Sequence, residues 1–174
     1  MKQIKITGKN NIEKLFKPNN DHKTKVSEIF FNKKNKLLNE FTHKNQIDFV
    51  NNIYMGNNFE MKNITMREIK KKHAGYKNQD IKKGIFNEEM FIKNEEIIEK
   101  LVVSKLKCFY CKIPMMILYD NVRENSQWTL DRIDNNLGHN TDNVVISCLK
   151  CNLQRRTLKM EHFKFTKQLK IIKK

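Results

Sequence analysis

The spacing of apolar positions changes twice along the chain. In "VSEIFFNKKNKLLNEF" (26–41) and "NQIDFVNNIYM" (45–55) apolar residues recur at mixed, mainly helical intervals, and "MGNN" at 55–58 marks a break. "KPNNDHKTK" at 17–25, rich in turn formers, reads as a loop. From 61 to 107 the pattern predicts short helices. Thr65 with Glu68 forms a capping box ahead of "MREIKKKH", and Gly75 and Gly84 interrupt the residues beyond it. In "NEEIIEKLVVSKL", Asn94 is the expected N-cap, and Ile97, Ile98, Leu101 and Val102 form one stripe. After residue 107 a period of two takes over. Trp128 and Leu130 alternate with Thr129 and Asp131, as in a strand with one buried face. Asn135, Asn136 and Gly138 make a loop, and "NVVISC" (143–148) returns as a second, β-branched strand. A helix is expected from near Cys151 through "NLQRRT", and a last one carries Phe163, Leu169 and Ile172.

These elements give an α+β chain in three parts. Residues 1–60 are an N-terminal extension without an assignable motif, 61–107 a helical segment, and 108–174 a hairpin domain closed by helices. At 174 residues the chain suits one or two small domains.

Charge then narrows the partners. Lys and Arg number 35 against 19 Asp and Glu, a net of +16, spread over the length of the chain. A field of that size draws polyanions, and the phosphate backbone of nucleic acid is the usual one. An AT-rich coding bias toward Lys, Asn and Ile accounts for the composition but leaves the field in place. The run "REIKKKHAGYKNQDIKK" (67–83) reads equally as a face laid along phosphates and as a solvated charged surface. The longest apolar stretch, "IPMMILY" (113–119), is too short to cross a bilayer, and "MKQIKITGKNNIEKLF" holds no secretory apolar core. The expectation is a soluble, intracellular protein with no membrane attachment.

The four cysteines stand in two pairs, Cys108-Phe-Tyr-Cys111 and Cys148-Leu-Lys-Cys151. In a reducing compartment such pairs favour metal over disulfides, and two knuckles of this spacing close a tetrahedral Zn²⁺ site. With sulfur at every position that zinc has no open coordination site, so its role is structural.

Through the second pair runs "TLDRIDNNLGHNTDNVVISCLKCN" (129–152). Over roughly residues 108–157 the order of these residues resembles the HNH endonuclease superfamily, also called ββα-metal or treble-clef nucleases. It is most similar to the zinc-bearing four-cysteine subgroup of large DNA viruses and phages. The resemblance implies a metal-dependent endonuclease acting on DNA, with RNA as the alternative substrate. It implies that Asp131 and Asn152 hold a catalytic Mg²⁺ or another divalent cation and that Asn143 braces the loop; Arg155 and Arg156, on the helix beyond, are then placed to hold flanking phosphates. One position departs from the pattern. Arg132 stands where the superfamily has its general base, and a guanidinium cannot take a proton from water. His139, the one histidine between the two cysteine pairs, is then the candidate base, with Asp134 a weaker one that also reads as a turn former. The alternatives are a nucleic-acid-binding module of the same type without chemistry, and a zinc-stapled protein-interaction domain.

Overall fold

The computed structural model of the protein describes residues 42–119 and 123–169. Among them five α-helices and one two-stranded antiparallel sheet are arranged in the order α1 (His43–Tyr54), α2 (Lys62–Lys82), α3 (Asn94–Val103), β1 (Trp128–Arg132), β2 (Val144–Cys148), α4 (Leu149–Arg155) and α5 (Met160–Gln168). The chain is therefore α+β. No described helix is long and apolar enough to cross a membrane. The loop expected at 17–25, the helical segment at 26–41 and Ile172 lie outside the described residues.

Helix α1 opens with Thr42 accepting a hydrogen bond from the Asn45 amide and ends before Gly56 at φ +77°. It is tied to the segment before the hairpin by Gln46. That side chain accepts from the Ile117 and Leu118 amides and donates to the Leu118 carbonyl. Val50 and Ile53 of α1 join Ile97, Leu101, Trp128 and Leu130 in one apolar cluster.

Two helix boundaries differ from the sequence pattern. Helix α2 runs 21 residues straight through Gly75, whose missing Cβ faces open space, and stops where Gly84 takes φ +66° just beyond the Lys83 cap. A glycine inside a helix costs about 1 kcal/mol, which packing along α2 outweighs. Thr65 is not a cap but lies inside α2, where its hydroxyl donates back to the Met61 carbonyl. At α3 the cap residue is Lys93 rather than Asn94, and the Glu96 carboxylate accepts from the Lys93 amide at 2.7 Å.

The sheet pairs Trp128 with Cys148 through to Arg132 with Val144. Its first strand departs from the expected single buried face, because Thr129 and Asp131 are buried as well as Trp128 and Leu130. The reason is α4, which covers the second face and meets Thr129 and Asp131 with Asn152 and Arg155.

Candidate functional site

A two-stranded ribbon leaves an outer row of backbone groups unpaired, and each must find a partner if it is buried. On β1 side chains from the two flanking helices answer four of them. The Lys72 ammonium of α2 donates to the Trp128 carbonyl, and the Tyr76 hydroxyl accepts from the Leu130 amide at 3.0 Å. From α4, Asn152 donates to the Leu130 carbonyl at 3.1 Å, and Arg155 donates to the Arg132 carbonyl. The Trp128 amide donates to Met116 in the incoming segment. Helix α2 thus lies along the hairpin with Lys72, Tyr76 and Asp80 at four-residue spacing on one face.

Between α2, β1 and α4 this arrangement leaves a groove of about 570 Å³. Lys71, Lys72 and Lys83 line it from α2 and the turn after it, and Arg132 and Arg156 from the hairpin side. Asp131, Asn135, His139 and Asn152 also reach its wall. A second cavity, about 630 Å³, sits against α3 and β2, and it mixes Lys100, Lys107 and Lys112 with Glu96 and Glu99 over an aliphatic floor of Val144, Val145 and Ile146. The groove, not this cavity, gathers the residues singled out in the sequence.

His139 is 4 % exposed and paired with Asp80, which is fully buried. One Asp80 oxygen accepts from the His139 backbone amide at 2.6 Å and the other meets the ring Nδ1 at 2.7 Å. A carboxylate only accepts, so Nδ1 carries the proton and Nε2 is the ring's free acceptor. Burial lowers the His139 pKa below its ordinary value, outweighing the upward pull of Asp80. The pair at neutral pH is therefore a hydrogen bond between a neutral ring and a carboxylate. The Tyr76 ring covers the imidazole at 4.6 Å between centroids. Gly138 makes room for this contact, since a Cβ there would come within 2.7 Å of the Ile85 carbonyl and 3.0 Å of Asp80.

Asp131, which the resemblance makes a metal ligand, lines the groove with its carboxylate engaged by two side chains. Its Oδ2 accepts from Tyr110 at 2.5 Å and from Arg155 Nε at 2.7 Å, and its Oδ1 accepts from Arg155 Nη2 at 3.0 Å. Burial and this bond to Asp131 both push the Tyr110 pKa upward, so the phenol keeps its proton to donate. Arg155, expected on a flanking phosphate, is 1 % exposed and committed to Asp131, while Arg156 stands exposed at the groove. Mg²⁺ favours an oxygen-rich site around a carboxylate whose charge is not already answered. Asn152, the other residue of the expected pair, offers a neutral amide oxygen instead. Its amide nitrogen is held by Thr129 Oγ1 and the Leu130 carbonyl, which leaves its Oδ1 to offer a ligand.

Asn143 braces the loop through both ends of its amide, accepting from the Asp134 amide and donating to the Asp134 and Gly138 carbonyls. Asp134 forms a turn by accepting from the Asn136 amide. Arg132 donates to the Leu137 carbonyl and otherwise faces the groove.

Cys108, Cys111, Cys148 and Cys151 bring their Sγ atoms within 4.8 Å of one another. The Cys111 to Cys148 separation is 3.8 Å, far from a disulfide bond and equal to the edge of a Zn–S₄ tetrahedron of about 3.8 Å built on bonds of about 2.3 Å. The cluster can hold a zinc ion. The hydrogen bond from Cys148 draws the Cys108 thiol down to about 4, and the same bond raises Cys148. Among the described residues this is the group of three or more His, Cys, Asp or Glu side chains able to share a metal.

The α2 contribution escapes a reading of the hairpin alone. Lys72, Tyr76 and Asp80 lie in a stretch whose charge hides its buried face, and their four-residue spacing is the one trace of it in the sequence.

No protein-family model matches the chain, and no solved structure matches it. It is 36 % identical over 92 residues to an uncharacterized protein of Acanthamoeba polyphaga mimivirus, a match covering 53 % of this chain. The matched stretch spans about 15 % of that viral protein's length.

Proposed function

We propose that the chain binds nucleic acid, DNA foremost, by its phosphodiester backbone, in the groove between α2 and the hairpin. In this reading the hairpin, its two cysteine knuckles and α4 form a zinc-stapled module of the HNH-like, treble-clef type. It works in a reducing, intracellular setting where the thiols stay available to metal. The observation that carries the reading is the convergence of Lys71, Lys83, Arg132 and Arg156 on one groove whose lining carboxylate, Asp131, is already answered by Arg155, with Lys71 also paired to Glu68 at 3.5 Å. Cations placed so can neutralise successive phosphates and release their counterions. The test is duplex binding across a salt series. Affinity should fall steeply with salt, and the Arg132→Ala/Arg156→Ala protein should lose roughly two phosphate contacts' worth of slope, about 0.9 each. A slope unchanged by the double substitution would refute the groove as the binding site.

Hydrolysis by an HNH-type endonuclease is the second reading, and the Asp80–His139 pair favours it. A neutral imidazole held in one tautomer in the wall of a phosphate groove is arranged as a general base toward water. Asn152 would hold the divalent cation, Mg²⁺ among the candidates, and the ion would stabilise charge developing on the phosphate. Arg132 would orient that phosphate, since it cannot serve as the base. Supercoiled plasmid with and without Mg²⁺, beside His139→Ala, separates the readings. Nicking that needs both the metal and His139 supports hydrolysis, and intact plasmid under all conditions leaves the binding module.

A further inference from the structure

Lys72 is the cation of the groove whose setting is least like that of a phosphate-binding lysine. Its Nζ lies 5.1 Å from the Tyr119 ring centroid and 5.0 Å from that of Trp128. It donates to Gln127 Oε1 at 2.9 Å and to the Trp128 carbonyl. Two acceptors take two of its N–H bonds, and what is left over is the third N–H of the ammonium or, in the neutral amine, the nitrogen lone pair. A lysine in such an apolar, desolvated setting is a nucleophile toward carbonyl carbon. The carbonyl that nucleic acid itself presents is the ring-opened aldehyde of an abasic sugar.

We infer that Lys72 is an imine-forming nucleophile that cleaves the strand at abasic sites, an activity resting on the groove as the nucleic-acid site. The amine adds to C1′ of the open sugar, and loss of water gives the imine. A base then takes a proton from C2′, the C3′–O bond breaks, and the downstream strand departs with a 5′-phosphate. Nε2 of His139, in the wall of the same groove, is the neutral base available for that proton. Water hydrolyses the remaining unsaturated imine and restores the lysine. No oxidant or reductant is consumed.

Burial lowers the Lys72 pKa to about 7. Glu68 on the same helix pulls upward and Lys71 pushes down, while the hairpin faces it with the uncharged Gln127 side chain and Trp128 carbonyl and the preceding segment with the Tyr119 phenol. The free amine is therefore abundant at neutral pH.

The experiment incubates the full chain with a duplex carrying one abasic site in the presence of sodium borohydride, which reduces the imine to a stable amine. The expected result is one covalent adduct per chain, mapped by peptide digestion to Lys72, with a trapping rate that levels off near pH 7. Trapping should fall at least about tenfold in Lys72→Arg, which keeps a donor for Gln127, and persist in Lys44→Ala, on the exposed face of α1. Mapping on the unsubstituted protein decides the matter even where Lys72→Arg fails to fold. Adducts scattered over surface lysines, or none from a protein that binds the same duplex, overturn the Lys72 assignment and leave the groove standing. Failure to bind the duplex at all removes both.

Discussion

Asp131 and Arg155 satisfy each other in a place neither leaves easily. A buried guanidinium stripped of its carboxylate keeps its desolvation cost and loses its compensation, a penalty of roughly 3–5 kcal/mol. Asp131→Asn should therefore destabilise the protein by about that much in urea unfolding while zinc stays bound, because the thiolates do not touch Asp131. A substituted protein as stable as the original would show that the pair is looser than its three donated hydrogen bonds imply. That Asp131 matters was legible in the sequence, since it lies between two cysteine knuckles at the end of a period-two stretch. Its partner was not. Arg155 and Arg156 are adjacent and identical in type, and the turn of α4 alone decides which is buried against the strand and which reaches the groove.

At the scale of elements, α2 is held to the hairpin by polar contacts, and one of them titrates. The folded His139 pKa lies below the ordinary 6.5, so the unfolded chain binds the proton more readily. The stabilising share of His139 is complete above about 6.5 and drains away as pH falls through the lowered folded value. Melting temperature should accordingly drop as pH falls below about 6.5, and His139→Gln should flatten that part of the profile. A profile equally steep without the imidazole would place the titration elsewhere. The elements themselves were mostly readable: the helix over 43–54, the stripe of α3, the hairpin and the helix entered through Cys148 all reflect spacing and β-branching. The continuity of α2 through Gly75 and its seat on β1 were not, because its buried face is Lys, Tyr and Asp rather than a stripe of apolar residues.

For the whole molecule the four-cysteine cluster fixes where the hairpin and α4 meet. Cys148 ends β2 and also caps α4 by accepting from the Cys151 amide, while Cys108 accepts from the Cys148 amide. One zinc per chain should copurify, and Cys148→Ser or a strong chelator should remove it together with the hairpin's order, since structural zinc contributes on the order of 10 kcal/mol to folding. Elemental analysis beside circular dichroism checks this, and a folded zinc-free preparation would overturn it. Tyr110 extends the effect beyond the cluster. It sits between Cys108 and Cys111, yet its hydroxyl ends on Asp131, and its ring packs on Phe163 of α5 at 4.9 Å. An oxidant that joined Cys111 to Cys148 would have to draw their sulfurs from 3.8 Å to about 2.05 Å, and would carry that knuckle along. Tyr110 sits on that knuckle, so a shift of the knuckle would bear on the hydrogen bond that its phenol donates to Asp131 at the wall of the groove.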